Sequence, residues 1–108
     1  MKVKSYKTLG GKDLILEYID KLNIKERYVG HAIIELLTEH GIDGLLGLET
    51  RQLQGKLWEI KFYKHNRVFY MVVEKEIVYL LHACKKQKGK AEKFEIETAL
   101  KRMNEIIS

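Results

Sequence analysis

Five lysines crowd into one short stretch, Lys85, Lys86, Lys88, Lys90 and Lys93, with Glu92 the single acid among them. Charge of one sign at that density suits a polyanion, either nucleic acid or an acidic protein segment. A solvated lysine-rich loop has the same composition. Just ahead lies His82, whose ring has the intrinsic pKa for proton transfer near neutrality. Inside an apolar run, a histidine also serves as a hydrogen-bonded core residue. Arg67 offers a planar fork that can hold two phosphate oxygens at once. Lys61, Lys64 and His65 stand shortly before it. Each has a plain structural alternative: a surface arginine opening a strand, solvated lysines, a turn histidine. Trp58 and Tyr70 have faces able to stack on bases, but both suit a core equally well. His82 and Cys84 alternate onto one strand face, yet two ligands do not make a zinc site, and His31 and His40 add no ligand spacing. Neither a metal nor another cofactor is expected, and Cys84 reads as a small packing residue.

These residues belong to a chain of 108, suited to one domain spanning 1–108. Lys+Arg number 20 against 15 Asp+Glu, a net charge of +5. The excess is local, because the stretch from Glu17 to Glu39 mixes both signs. No apolar run approaches the ~20 residues of a membrane helix. The opening residues lack the apolar stretch of a secretion signal, and the single Cys84 cannot form an internal disulfide. A cytoplasmic protein with no membrane partner is expected.

The elements that must carry the chemistry follow from periodicity. Lys2–Lys7 alternates as a weak strand. Asp13 caps a short helix with Leu14, Ile15, Tyr18, Ile19 and Leu22 on one side. Asn23 and Glu26 stand in capping-box spacing for a second helix carrying Val29, Ile33, Leu36 and Leu37, which stops near Gly41. Residues 42–55, with Gly44, Gly47 and Gly55, read as a loop. Three strands follow over 56–63, 67–73 and 76–83, joined by the short turns Lys64-His65-Asn66 and Glu74-Lys75. The second and third are nearly continuous in apolar residues, which suits strands covered on both faces. A last helix over 91–107 buries Ile96, Ala99, Leu100, Met103 and Ile107. The expected class is α+β: a twisted antiparallel sheet of about four strands packed against an N-terminal helical hairpin and a C-terminal helix. Helices on one face would leave the other partly open to a nucleic-acid strand.

Three segments carry a family likeness: Leu53-Gln54-Gly55-Lys56-Leu57-Trp58-Glu59-Ile60-Lys61-Phe62, Arg67-Val68-Phe69-Tyr70, and Leu80-Leu81-His82-Ala83-Cys84-Lys85-Lys86. In this order they resemble the RelE/ParE toxin superfamily, most nearly the HigB-like branch related to phage-derived toxin-like proteins. Glu95 to Arg102 resembles that branch's closing helix. The chain departs at Cys84, where the family often has an aromatic, and at Gly89-Lys90, where it often has threonine-proline. The resemblance implies a RelE-like fold and a type II toxin. Such a toxin is a metal-independent endoribonuclease that cuts mRNA at the ribosome, inhibits translation and is restrained by an antitoxin, a small helix-turn-helix protein. It also implies roles. Arg67 would contact the scissile phosphate, Lys61 would lie near the reacting sugar, and Lys85 and Lys86 would supply the basic group after the third strand. His82 joins them as a candidate for proton transfer, and Lys64, His65, Lys88 and Lys90 as RNA-backbone contacts. Other superfamily members poison gyrase, so a non-catalytic nucleic-acid-binding or gyrase-directed toxin of the same fold is the alternative.

Overall fold

In the computed structural model, which describes residues 2–107, two side-chain caps open the first pair of helices. The Asp13 carboxylate accepts from the Ile15 and Leu16 N–H groups and starts α1, Leu14–Asp20. The Asn23 side chain accepts from the Glu26 N–H and starts α2, Ile24–His40. Each cap satisfies amide donors that a first turn leaves without carbonyl partners. Gly30 lets the two helices touch. A β-carbon there would sit 2.8 Å from Cγ2 of buried Ile19, so any side chain would force the pair apart.

Five strands form one sheet in the order β1-β5-β4-β3-β2: β1 (Val3–Ser5), β2 (Glu49–Gln54), β3 (Leu57–Phe62), β4 (Asn66–Val73) and β5 (Ile77–Lys85). β2 to β5 are an antiparallel meander, and β1 runs parallel beside β5. The last helix is α3, Gly89–Ile107. The α+β class and RelE-like outline are as expected, and four details differ. The sheet has five strands and is mixed rather than wholly antiparallel. Residues 42–55 are not a loop: a 3-10 helix spans Gly41–Gly47 and β2 follows. β2 is polar and takes its form from pairing with β3, which periodicity cannot register. Ile107 is exposed, and Ile106 packs in its place.

The fourth difference bears on the site. Helices cover both faces of the sheet. α1 and α2 pack with Ile60, Phe62, Val68, Tyr70, Val78 and Leu80 on one face. On the other, α3 packs Ala99 and Met103 against Leu57, Phe69, Met71 and Leu81. The near-continuous apolar runs of β4 and β5 demand this, since each face of those strands must leave water. The expected open face is therefore closed by α3.

Candidate functional site

Register decides which chemical groups meet. Lys61 lies opposite Arg67 across β3 and β4, and Arg67 lies opposite Cys84 across β4 and β5. One step along, Arg51, Glu59, Phe69 and His82 form a second row across four strands. Both rows face α3. The pairing slips at Phe69/Tyr70: Tyr70 faces Leu80 while Phe69 faces His82, leaving Leu81 unopposed. An extra residue of this kind reverses the alternation beyond it. Without the bulge, His82 and Cys84 would point at α1 and α2.

Arg67 is 3% exposed. Its Nη1 donates to Glu92 Oε2 at 2.9 Å, and its Nε lies 3.3 Å from Glu59 Oε2. Glu59 is 0% exposed, and its Oε1 lies 3.0 Å from Arg51 Nη2. The Glu59 contacts are ionic rather than aligned hydrogen bonds, for among the described residues neither carboxylate oxygen nor Arg67 Nε has a hydrogen-bond partner. A carboxylate in this position is tolerable only between opposite charges. Arg67 thus has a structural role, which makes its truncation to alanine an unclean test of any chemical one.

His82 bridges β5 to α3. Its Nε2 lies 3.0 Å from Glu95 Oε2, its Nδ1 lies 3.1 Å from Arg102 Nη1, and its ring stacks on Phe69 with centroids 5.8 Å apart. Arginine only donates, so Nδ1 accepts and the ring proton sits on Nε2, directed at Glu95. Burial lowers the His82 pKa, and Arg102 adds to that while Glu95 opposes it. The ring is neutral near pH 7 with both nitrogens engaged. Burial, and next Glu95, push the Cys84 thiol up. His82, Cys84 and Glu95 place ligand atoms within 4.8 Å of one another. A divalent cation there would have to take the Nε2 proton, the thiol proton and Glu95 from an existing network.

Lys85 points to the other face. Its Nζ donates to Asn66 Oδ1 at 3.0 Å and lies 3.4 Å from Glu26 Oε1, with its side chain 50% exposed. Asn66 Nδ2 donates to Glu26 Oε1 at 2.7 Å, and Tyr18 Oη donates to Asn66 Oδ1 at 2.6 Å. This network ties α1 and α2 to the ends of β4 and β5. The Asn66 hydrogen bond first, then Lys85 and Asn23, hold the Glu26 carboxyl below its ordinary 4.5, against the opposing effect of burial. A carboxyl lowered in the folded state adds stability above its unfolded pKa and loses it as pH falls through the folded one. Unfolding free energy should therefore decline as pH drops below 4.5, and Glu26→Gln should flatten that decline. Identical acid profiles for the two proteins would remove Glu26 from the effect.

The remaining basic candidates gather at one end of the sheet. Lys64 and His65 form the β3–β4 turn, and the Lys86 N–H donates to the His65 carbonyl at 2.7 Å. Lys86, Lys88 and Lys90 are exposed between β5 and the first turn of α3. Arg67 and Lys61 share this end and face α3, His82 lies one row inward, and Lys85 is turned away. Three acids at the site escaped the sequence reading: Glu59, Glu92 and Glu95. The signal for Glu59 was an acid inside the apolar run from Leu57 to Phe62. Glu92 stood out only as the lone acid among lysines.

Among the described residues, no helix is long and apolar enough to cross a membrane. A search of curated proteins finds no match. Residues 17–104 match the family described as phage derived protein Gp49-like (DUF891). That span runs from α1 through α3 and contains every candidate residue of both rows. The chain belongs to this Gp49-like family of phage-derived proteins, part of the RelE/ParE-like toxin superfamily.

Proposed function

We propose that the chain is the toxin of a type II toxin–antitoxin system, a HigB-like metal-independent endoribonuclease that cuts mRNA at the ribosome. One observation carries the reading. Arg67, with Lys61 opposite it, lies at the end of the sheet where Lys64, His65, Lys86, Lys88 and Lys90 gather. The 2′-hydroxyl attacks the adjacent phosphorus and the bond to the 5′ oxygen breaks, leaving a 2′,3′-cyclic phosphate and a 5′-hydroxyl. Arg67 neutralises the charge that builds on the phosphate oxygens. Lys61 and Lys86 are assigned the protons that leave the 2′ oxygen and reach the 5′ oxygen. Lys64, His65, Lys88 and Lys90 hold the flanking backbone, an attraction that must weaken with salt. His82 is assigned to securing α3, because both its nitrogens are engaged, and Lys85 to securing β5 and adding field.

The family supports an antitoxin partner. We assign it as a small helix-turn-helix protein whose acidic or amphipathic segment covers the lysines and competes with RNA. Lys86→Glu/Lys88→Glu, both exposed at this end of the sheet, should weaken both partners in binding titrations. The decisive experiment is expression without antitoxin, followed by mapping of RNA ends in extracts containing chelator. The expected result is growth arrest with new 5′-hydroxyl ends in mRNA. Arrest with intact mRNA and trapped gyrase would establish the gyrase-directed reading. Normal growth at verified soluble expression would remove the toxin.

A further inference from the structure

We propose that Glu92 is a built-in stand-in for the RNA phosphate: its carboxylate holds the Arg67 fork in the free protein, and substrate binds by displacing it and lifting the first turns of α3. The proposal rests on reading Arg67 as the phosphate-binding residue.

Carboxylate and phosphate present similar oxygen acceptors to a guanidinium, so they compete for one fork. Glu92 Oε2 already accepts from Arg67 Nη1 at 2.9 Å. Arg67 is 3% exposed, so no phosphate reaches it while α3 lies in place. Glu92 is not itself buried away, since 35% of its side chain meets solvent. Water can therefore take over its hydrogen bonds when it leaves.

The helix is attached unevenly. Ala99, Leu100, Met103 and Ile106 pack its later turns into the second core. The turns ahead of Ile96 are joined to the sheet by Glu92–Arg67 and Glu95–His82. Polar contacts of this kind exchange for water at small net cost, whereas buried apolar surface does not. Gly89, at the start of α3, has a φ of 60° and open space where a β-carbon would stand. It is a residue able to absorb the backbone rotation that lifting requires. Lys90 and Lys93 flank Glu92, so a departing first turn carries positive charge toward the incoming strand.

The test is fluorescence anisotropy with a 2′-O-methyl RNA oligonucleotide, which lacks the attacking hydroxyl and reads binding without cleavage. Glu92→Gln should bind about tenfold tighter than wild type, a gain worth one exposed competing contact. Glu97→Gln is the control: Glu97 is exposed on the same helix, and the substitution changes net charge equally without touching Arg67. Adding Arg67→Gln together with Glu59→Gln, so that no buried charge is left unpaired, should erase the gain. Equal gains from Glu92→Gln and Glu97→Gln, no gain from Glu92→Gln, or a gain that survives without Arg67 would each overturn the latch. Glu92→Ala replaces Glu92→Gln if the latter does not unfold cooperatively. Cleavage of ordinary RNA is measured beside it. A Glu92→Gln gain without cleavage keeps the latch and removes the ribonuclease, and cleavage without the gain removes the latch alone.

Discussion

Arg67→Lys should cut RNA about a hundred- to a thousandfold more slowly than the wild-type chain, the usual effect of removing one preorganised donor from a charged transition state, and should still unfold cooperatively. Lysine keeps the positive charge that buried Glu59 requires, 3.3 Å from Arg67 Nε. It loses the planar fork, so it cannot hold two phosphate oxygens in fixed geometry as charge develops on them. Charge and geometry are thereby separated at one position. Single-turnover cleavage of a defined mRNA, with thermal unfolding recorded on the same sample, checks it. Unchanged cleavage would take Arg67 out of the site. Lost cooperativity would mean that Glu59 needs the guanidinium itself.

Glu59→Ala should cost about 3–5 kcal/mol of stability, the range for removing one partner of a buried ion pair. Total stability for a domain is about 5–15 kcal/mol, so this single change could consume most of it. The reason lies in what remains. Arg67 would keep Glu92, which is 35% exposed, and would lose the one counter-ion that is 0% exposed. Arg51→Ala is the contrast. Its side chain is 52% exposed, so water replaces most of what it offers, and the change should cost about 1 kcal/mol or less. Urea unfolding of the two variants measures the difference. A loss from Glu59→Ala no larger than that from Arg51→Ala would show that buried Arg67 does not depend on the Glu59 charge.

Local chemistry made much of the fold legible in advance. Asp13 and Asn23 cap the helices that follow them, because a side-chain oxygen two or three residues from a free amide needs no distant partner. Ile96, Ala99, Leu100 and Met103 recur at helical spacing and define the buried side of α3. The apolar density of β4 and β5 announces strands covered twice. β2 was not legible. Glu49-Thr50-Arg51-Gln52-Leu53-Gln54 has no stripe, and only its ladder with β3 makes it a strand. β1 likewise owes its place to β5, more than seventy residues away in sequence.

The site divides the same way. Which residues could do chemistry was readable from side-chain type alone: a forked cation at 67, a titratable ring at 82, a run of lysines from 85. Which of them meet was decided by register and by one bulge. A single unopposed residue, Leu81, turns His82 and Cys84 toward α3. Strand alternation puts Lys85 among Glu26, Asn66 and Tyr18, while Arg67, paired with neighbouring Cys84, faces the opposite side. Sequence alone therefore determined the charge, the caps, the apolar periods and the set of reactive groups, because each depends on a residue and its near neighbours. Only the tertiary structure decided that Arg67 lies between Glu59 and Glu92. Glu59 reaches it only through the pairing of β3 with β4, and Glu92 only once α3 folds back onto the sheet, and no local period records that convergence.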